Sequence, residues 1–489
     1  MPTIPQEPSD ATIAARNYRI LWRWHFYAGL FVMPFLMVLA ITGAIYVFKP
    51  QIDAALYGDK LFVAASGQPR LGYDKQLAIA AGAVPTEAVA TSIAINNDPR
   101  RSTEAVFRLA SGESTSVYLN PTTGQVLGTL SMEHRFMQQV RQIHRDLLLG
   151  KWGRWLMELA ACWTLIMVGT GIALWWPTLA AKPFSVWGSL LPRCRLRGRA
   201  LWRELHLVVG FWVAIGAVFF ILSGLPWTSF WGSNFQALVT WANFGAQADH
   251  AKKTVKSEHV HGSTATAAPM KMRELPLVDI PWAVGETTVP TSFDRTLPLV
   301  RPCPRPTLPL SPPECLTLEQ VTAIAARNGM LTYQLALPRT STDVFTVSYA
   351  PGASAFVRSD LDRLRTLHLD QYSGKILKDI RYADYNVVSK AVTLGVALHM
   401  GEYFGLANQL LCAAISLALL GMAITGFVMT HRGMTLFGLE RRPLHQIHDV
   451  LGNLFVVAVP IHVLGVIFES LRHKENLVGA MITGRKRGL

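Results

Sequence analysis

The sequence has few charged residues for its length. Only 16% of its 489 residues are Asp, Glu, Lys or Arg, whereas a soluble domain carries roughly 25%. Half of the residues are apolar. This shortage of charge argues against a disordered chain, a coiled coil and a purely cytosolic enzyme, and it favours a membrane protein with sizeable parts outside the bilayer.

The sequence also lacks the motifs of several common kinds of site. It has five cysteines, but none belongs to the Cys-x-x-Cys-His motif that attaches c-type haem. No phosphate-binding loop, dinucleotide fingerprint or nucleophile-triad spacing is evident. These absences argue against covalent haem and predict that the chain does not bind its own nicotinamide.

Long apolar runs are prominent instead. A membrane-spanning helix needs about 20 mostly apolar residues. Four runs have this length, at 26–48, 155–176, 205–227 and 406–430, and a fifth run at 450–471 is weakened by Asn453, Pro460 and His462. A signal peptide is a poor alternative for the first run, because the run is too long and no small-residue cleavage site follows it.

The positions of the basic residues predict the orientation of these spans. The net charge of +14 would suit nucleic acid, but residues 177–204 contain six Lys or Arg and one acid, Glu204. Cytosolic loops are rich in Lys and Arg, so we expect this loop, the N-terminus and the 432–449 loop to be cytosolic. A fifth span would place the basic tail outside, against the rule; either the tail helix lies on the membrane surface or this terminus breaks the pattern.

The chain contains an internal repeat. His25 to Gly43 and His206 to Gly224 span 18 residues each, and His144 to Gly171 and His399 to Gly426 span 27 each. Segments 117–127 and 367–377 both have the pattern strand, turn, strand. The sequence therefore predicts a tandem duplication of span, small α+β domain and span. The second exported segment adds a polar stretch at 245–270 and a Pro-rich linker or loop at 290–313.

These motifs resemble the PepSY-associated transmembrane helix family, bacterial inner-membrane proteins linked to iron uptake that include ferric-siderophore reductases. The matching pieces are 25–30, 143–148, 205–210 and 398–402, together with the two strand–turn–strand segments, which look like PepSY motifs. The resemblance covers most of 16–433. It implies an α-helical membrane bundle with four core spans, a candidate C-terminal fifth helix and two exported α+β PepSY-like domains.

The expected organisation follows from the spans and the resemblance. In chain order it comprises a cytosolic N-terminus (1–23), span 1 (24–48), a periplasmic PepSY-like domain (49–143), span 2 (144–176), a basic cytosolic loop (177–204), span 3 (205–227), a second periplasmic PepSY-like domain (228–398) with its Pro-rich insert (290–313), span 4 (399–431), a cytosolic loop (432–449), a candidate fifth span (450–471) and a basic tail (472–489).

The four repeated histidines are the candidate cofactor ligands. Haem iron in electron-transfer proteins is held by two neutral imidazoles, one on each face of the porphyrin, and facing helices of a bundle can supply them. We predict that His25 and His206 hold one haem b at the cytosolic edge, and that His144 and His399 hold a second at the outer edge. A histidine that only contacts lipid headgroups has no reason to keep these spacings, although a duplicated structural helix could keep them by descent.

Two glycines and a further histidine pair add to this hypothesis. Gly29 and Gly210 follow the inner histidines by four residues, where a missing side chain would let a flat macrocycle approach. His448 and His462 are a secondary candidate pair, because 14 residues of helix return to almost the same face about 21 Å along the axis. Helices of diheme b-type cytochromes use such a spacing, but His448 also borders a basic loop where histidine is unremarkable.

Other polar residues have weaker claims to a function. Glu158 lies inside the second span, where it could tune a haem or relay a proton, or simply reach water. His259 and His261 form a His-x-His pair in the polar insert, which suits either a metal site or a solvated loop. Cys303 and Cys315 lie on the exported side, where we predict that they form a disulfide.

Two haems across a bilayer would pass electrons from an unknown cytosolic donor to a periplasmic acceptor. The resemblance implies that the acceptor is a ferric siderophore, and one electron would release the metal because hard oxygen chelators hold Fe(III) better than Fe(II). The expected activity is that of a transmembrane ferric-siderophore reductase, with the lipid bilayer as partner and no nucleic acid. The alternative is a haem-free PepSY membrane scaffold or sensor that binds a protein partner.

Overall fold

The computed structural model describes residues 10–180, 190–193, 195–242, 270–277, 280–292, 315–340, 342–349 and 361–433. In chain order, the helices are α1 (Asp10–Tyr46), α2 (Lys49–Leu61), α3 (Tyr73–Ala81), α4 (Phe136–Asp146), α5 (Gly150–Ala180), α6 (Gly198–Gly224), α7 (Phe230–Trp241), α8 (Trp282–Gly285), α9 (Leu318–Arg327), α10 (Val387–His399) and α11 (Leu406–Gly433). The strands are β1 (Val89–Ile95), β2 (Thr103–Arg108), β3 (Ser114–Leu119), β4 (Val126–Ser131), β5 (Tyr333–Ala336), β6 (Val344–Ser348), β7 (Arg365–Asp370) and β8 (Ile376–Arg381).

Among these residues, four helices are long and apolar enough to cross a membrane. They are Ala14–Tyr46, Gly150–Trp176, Gly198–Trp227 and Leu406–Met429. Each exceeds the roughly 20 residues that a bilayer requires, which confirms the four predicted core spans as candidate membrane helices. The predicted fifth span at 450–471 lies outside the described residues.

Spans 2 and 4 begin later than the sequence predicted. His144 lies near the end of the separate helix α4, after which Leu147 and Leu148 adopt positive φ angles of 55° and 60°. His399 is the last residue of α10, and a turn of positive-φ glycines precedes α11. Because left-handed backbone ends an α-helix, the two outer histidines belong to short helices that precede the spans.

The chain divides into two compact units, one of which consists of the described parts of Met1–Ala40, Leu159–Ile221 and Ile415–Leu489. Small and branched apolar side chains form its core, with Ala40, Val213, Ala217 and Leu419 buried together. The helices α6 and α11 approach closely at Gly216, where an added Cβ would lie 2.9 Å from Ile415. This unit is therefore a packed helical bundle.

The second unit, Ile41–Glu158 with Leu222–Ala414, contains one antiparallel sheet of eight strands. The strand order is β4-β3-β2-β1-β5-β6-β7-β8. β1 pairs with β5 in the register Ser92↔Ala336 to Ile95↔Tyr333, which joins the strands of the two segments that were predicted to be exported. The sequence predicted two separate domains; the continuous sheet arises because this pairing covers an edge that each four-stranded half would otherwise leave open.

Both predicted strand–turn–strand segments are present in this sheet, as β3–β4 and β7–β8. Gly124 and Gly374 occupy equivalent places in the two turns, with φ angles of 77° and 71°. An added Cβ at Gly124 would lie 2.8 Å from Ile79, and one at Gly374 would lie 2.6 Å from Ile324. Glycine is therefore required at both turns by backbone conformation and by close packing.

The helices α3 and α9 cover one face of the sheet. Their buried residues Leu77, Ala80, Val321 and Ala325 form one apolar core with Ile93, Val117, Leu335 and Leu367 from the strands. A smaller apolar cluster includes Ile380 of β8, in the second half of the sheet. Its buried members are Met272, Ala283, Val284, Ile380 and Tyr385. The segment that leads into the Pro-rich stretch thus packs on the sheet, whereas residues 293–314 lie outside the described part.

The N-termini of α3 and α9 cap each other. The backbone N–H of Leu318 donates to Asp74 Oδ2 (3.0 Å), and the backbone N–H of Asp74 donates to Glu319 Oε1 (3.1 Å). Burial, together with the neighbouring carboxylate of Glu319, raises the pKa of Asp74 to about 7. Glu319 is also partly buried, but hydrogen bonds from Asp74 hold its pKa below the usual range. The pair therefore holds one proton on Asp74 as the pH falls below 7.

Cys315 and Cys412 differ in their oxidation state. Cys315 is disulfide-bonded, whereas Cys412 is a buried free thiol inside α11. Cys303, the predicted partner of Cys315, lies outside the described residues, so this pairing stays a prediction.

Candidate functional site

The inner histidines lie next to each other in the helical bundle. His25 is on α1 and His206 is on α6, with their ring centroids 6.5 Å apart and their planes at 84°. Both side chains are partly buried. The structure thus brings together two of the four predicted ligands, one from each half of the repeat.

Each inner imidazole is held by a threonine on a neighbouring span. His25 Nδ1 lies 2.9 Å from Thr170 Oγ1 of α5. His206 Nδ1 lies 2.9 Å from Thr425 Oγ1 of α11. Each threonine is followed by a glycine, and the ring lies against that glycine with its Cε1 3.1 Å from an added Cβ at Gly171 and 3.5 Å from one at Gly426.

The geometry of the inner pair fits a haem ligated on both faces. Two imidazoles that share one metal have centroids about 6 Å apart, because each metal–nitrogen bond is about 2 Å and each ring centre lies about 1 Å beyond its nitrogen. The observed 6.5 Å agrees with this spacing. Within the described residues there is no group of three or more His, Cys, Asp or Glu suited to a metal ion, but a porphyrin supplies four ligands itself, so two imidazoles complete the set.

The glycines that follow the inner histidines contact methionines. An added Cβ at Gly29 would lie 3.3 Å from Met167 Cε, and one at Gly210 would lie 2.8 Å from Met422 Cε. The sequence predicted that a macrocycle approaches the backbone at these two glycines. In the structure, the ends of Met167 and Met422 lie there. Methionine is flexible and adapts its shape to a neighbour, so the side chains that lie against Gly29 and Gly210 are able to move.

The outer histidines show the same local pattern in the second unit. His144 Nδ1 lies 2.8 Å from Thr42 Oγ1, near the end of α1. His399 Nδ1 lies 2.9 Å from Ser223 Oγ, near the end of α6. The ring of His399 also lies against Gly224, with Cε1 3.5 Å from an added Cβ. Four histidines therefore have four hydroxyl partners, each supplied by a neighbouring helix.

A partly buried ion pair anchors the helix that carries His144. Arg135 immediately precedes α4, and its guanidinium donates to Glu104 on β2 (2.7 Å) and to Ser116 on β3 (2.5 Å). The hydroxyl of Tyr118 also donates to Glu104 (2.9 Å). Although burial favours the neutral carboxyl, Arg135 holds the pKa of Glu104 below its usual range. This network fixes the start of α4 to the sheet.

Glu158 has a structural partner. Its carboxylate accepts hydrogen bonds from the hydroxyl of Thr228 (2.9 Å) and the backbone N–H groups of Phe230 (3.1 Å) and Trp231. These amides open α7, where the first N–H groups of a helix have no partner within it. The sequence left haem tuning, proton relay and contact with water open for Glu158. The geometry instead favours the capping of a helix.

Comparison with known families agrees with this architecture. Residues 22–432 match the family described as PepSY-associated TM region. The chain belongs to this family. It is therefore a multi-pass membrane protein, as its four apolar helices also indicate. Among curated proteins, no sequence matches the chain.

A second match covers the C-terminal part of this family member. Residues 394–484 match the family described as prokaryotic cytochrome b561. Together, the two matches support a membrane electron-transfer protein with haem b. The secondary pair, His448 and His462, lies inside the matched range but outside the described residues. The His259 and His261 cluster also lies outside the described residues.

Sequence reasoning recognised the histidines but not the hydroxyls. In each of the four core spans, the glycine at the regular spacing from a histidine is preceded by a hydroxyl residue, in the dipeptides Thr42-Gly43, Thr170-Gly171, Ser223-Gly224 and Thr425-Gly426. The spacing is a signal for these hydroxyls, but a spacing along the chain does not reveal which helix supplies the partner. The structure pairs each dipeptide with a histidine from a different helix.

Proposed function

We propose that this protein is a diheme b-type ferric-siderophore reductase of the bacterial inner membrane. It would pass electrons from a cytosolic donor to a periplasmic ferric siderophore and release Fe(II). The observation that carries the proposal is the spacing of the His25 and His206 rings, which leaves room for one iron between them. The match to prokaryotic cytochrome b561 supports the same cofactor.

The chain's residues would divide into two ligand pairs. His25 and His206 would hold one haem, and His144 and His399 would hold the second. When bound, haem b supplies a one-electron couple that alternates between Fe(III) and Fe(II). Because two imidazoles would hold each haem, the siderophore would not need to bind at the metal itself.

The two pairs would lie towards opposite ends of the spans. Thr42, the partner of His144, follows His25 on α1 by 17 residues, which corresponds to about 26 Å of helix at 1.5 Å per residue. This length is close to the thickness of the hydrocarbon core of a bilayer. The arrangement along a single helix supports electron transfer across the membrane.

A ferric siderophore would dock on the periplasmic side. Trp152 is 70% exposed near the start of α5. Tyr403 makes an edge-to-face contact with Phe404 just before α11, with ring centroids 4.7 Å apart and planes at 79°. Both belong to the second unit, which also contains the outer histidines. Aromatic surfaces of this kind suit a bulky organic chelate that needs only to approach a haem edge, such as a hydroxamate.

The strand order supports the tandem duplication. The sheet runs outward from β1 and β5 in the same antiparallel order on both sides, and the hydroxyl partners of the histidines repeat in each half. We infer that two PepSY-like domains arose by duplication and share one sheet. Basic residues of the 177–204 loop would keep that loop in the cytosol and the sheet in the periplasm.

Haem stoichiometry tests the ligand assignment. We expect the purified protein to have a Soret band and two haems per chain in a pyridine haemochrome assay. His206→Ala and His399→Ala should each retain about one. Retention of both haems in both variants would overturn the assignment, and absence of a Soret band after expression with adequate haem would favour the haem-free scaffold.

The secondary histidines provide the matched control. His448→Ala and His462→Ala should leave two haems per chain if the four repeated histidines are the ligands. Loss of a haem in either control, with retention in His399→Ala, would assign the outer ligands to the C-terminal match instead.

Electron delivery tests the substrate. Dithionite-reduced protein in detergent is freed of excess reductant and mixed with ferrioxamine-type chelate and an Fe(II) trap, while the haem spectrum is followed. We expect haem oxidation with equal formation of trapped Fe(II). Haem that stays reduced across hydroxamate, catecholate and carboxylate siderophores would indicate another acceptor. Unchanged oxidation in His399→Ala would show that electrons do not leave through the outer pair.

A further inference from the structure

The hydroxyl groups of the two inner threonines lie within hydrogen-bonding distance of carbonyl oxygens in their own helices. Thr170 Oγ1 lies 2.8 Å from the carbonyl oxygen of Ile166 and 3.1 Å from that of Met167, in its own helix. Thr425 Oγ1 lies 3.1 Å from the carbonyl oxygen of Met422. A hydroxyl has one proton to donate, and a carbonyl can only accept. When the hydroxyl donates to a carbonyl of its own helix, its oxygen is left as the acceptor that faces the histidine.

An accepting hydroxyl fixes the tautomer of the imidazole. If Thr170 accepts at Nδ1 of His25, the single proton of the neutral ring must be on Nδ1. The lone pair is then on Nε2, which becomes the ligating atom. The same reasoning applies to His206, whose Nδ1 faces Thr425. The partner of the non-ligating nitrogen thus decides which nitrogen is available to a metal.

We propose that Thr170 and Thr425 are positioning residues that set the Nε2-ligating tautomer and the ring planes of His25 and His206. Thr42 and Ser223 have the same relation to the outer histidines. As a role towards haem, this proposal rests on the proposed function. The tautomer itself is a property of the protein without haem.

The two rings are hydrogen-bonded to different helices. His25 is tied to α5 and His206 to α11, so each ring plane is fixed from a different helix. The two planes lie at 84°. Perpendicular imidazoles donate into different iron d orbitals and keep those orbitals nearly equal in energy, which gives ferric haem a highly anisotropic low-spin EPR signal. Removing one hydroxyl frees one ring and should change this signal.

A threonine in the same span provides a matched control. Thr164 is buried on α5, and its hydroxyl donates to the carbonyl oxygen of Ala160 (2.8 Å). It therefore makes the same helix-internal bond as Thr170, and this bond is to the backbone rather than to a histidine. Thr164→Val reports what the loss of a hydroxyl costs the helix, whereas Thr170→Val adds the loss of an acceptor for His25.

The first experiment uses the full-length protein without haem. Solid-state NMR of ¹⁵N-histidine-labelled protein should show His25 protonated at Nδ1, with its signals assigned by their loss in His25→Gln. We expect Thr170→Val to produce a mixture of tautomers, and Thr170→Ser and Thr164→Val to keep the Nδ1 proton. An Nε2-protonated ring in the wild type, or an unchanged tautomer in Thr170→Val, would overturn the proposal.

The second experiment adds haem b to the same four proteins. Loss of a hydrogen-bond partner behind a metal-bound histidine typically weakens metal affinity by about 10–100-fold, so Thr170→Val should lose haem by that factor. Its midpoint potential should rise, because His25 becomes a poorer donor, and its EPR anisotropy should fall. Thr170→Ser should restore all three.

The outcomes separate this proposal from the proposed function. A wild type that binds no haem, yet has the Nδ1 tautomer in NMR, would refute the haem role and leave the tautomer assignment standing. Normal haem binding with equal losses in Thr164→Val and Thr170→Val would reduce Thr170 to a packing residue and overturn the positioning role.

Discussion

Gly171 and Gly426 occupy equivalent places beside the inner histidines, but they have different amounts of room. An added Cβ would lie 3.1 Å from the ring of His25 at Gly171 and 3.5 Å from the ring of His206 at Gly426. The second distance is an ordinary van der Waals contact, and the first requires the ring to move by a few tenths of an ångström. The two halves of the site therefore differ in their tolerance of a single methyl group.

We predict that Gly171→Ala weakens the inner site and Gly426→Ala leaves it intact. The methyl group at 171 pushes His25 away from its position beside Thr170, and overpacking of this kind costs about 1–3 kcal/mol. Haem retention after gel filtration measures the effect, with Gly169→Ala as a control because an added Cβ there meets nothing within 4 Å. Equal retention in all three variants would contradict this difference.

At the scale of single residues, the sequence predicted which residues form the site better than it predicted which of them contact each other. His25, His206 and the Ser/Thr-Gly dipeptides were recognisable from spacing alone, because a repeat preserves residue type at fixed intervals. Which hydroxyl meets which imidazole depends on how helices pack, and four helices allow several pairings. The choice of Thr170 for His25 could not be read from the sequence.

Among the elements, α3 and α9 form a contact that depends on pH. The pKa of Asp74 is raised to about 7 by burial and by Glu319, whereas an exposed aspartate titrates near 4. Between pH 4 and 7 the folded state therefore binds more protons than the unfolded state. The contribution of Asp74 to the free energy of unfolding consequently decreases as the pH rises through this window.

Asp74→Asn should remove this dependence. The amide can still accept from Leu318 and cannot ionise beside Glu319. We expect the variant to exceed the wild type in stability by about 1 kcal/mol at pH 8, a figure reduced for the partial exposure of the pair, and to match it near pH 4. Thermal unfolding of the full chain in detergent measures the difference, with the exposed Asp59→Asn as control. A variant less stable than the wild type at pH 8 would refute the shared proton.

The capping of α7 leads to a second prediction for an element. Glu158→Ala removes the acceptor for Thr228, Phe230 and Trp231, and the loss of a helix cap costs about 0.5–2 kcal/mol. Hydrogen–deuterium exchange over residues 230–234 should accelerate, with less acceleration in Glu158→Gln. Unchanged exchange together with an altered haem potential would indicate an electronic role for Glu158.

Helices and strands could be predicted from the sequence where one residue pattern is sufficient to identify them. Apolar length identified the four spans, and turn glycines such as Gly124 and Gly374 identified the hairpins. The separation of α4 from α5 was missed, because Leu147 and Leu148 are ordinary helix formers that adopt left-handed backbone here. Such a break is decided by the packing around the residues and not by their intrinsic preference.

For the whole molecule, the orientation in the membrane is the principal prediction. The basic loops predict a cytosolic N-terminus and an exported sheet. Ser111→Cys, in the turn between β2 and β3, should react with an impermeant maleimide added to spheroplasts, and Ala14→Cys should react only after lysis. The parent protein provides the baseline for its own cysteines. The reverse pattern would invert the direction proposed for electron transfer.

The continuous sheet is the feature of the whole molecule that the sequence did not predict. Each half of the sheet has its own hairpins and its own covering helix, which is what two independent domains would also have. The pairing of β1 with β5 joins residues more than 200 positions apart, and no local pattern encodes such a contact. It follows from two complementary strand edges in one folded unit.

That pairing has a consequence for biogenesis. β1 is complete at Ile95, but its partner begins only at Tyr333, and spans 2 and 3 must be inserted between the two events. At bacterial or eukaryotic synthesis rates of roughly 5–20 residues per second, the nascent chain exposes the open edge of β1 for about 10–50 s before β5 is synthesised. An exposed strand edge recruits other strands, so the chain is most vulnerable to aggregation before its second half is synthesised.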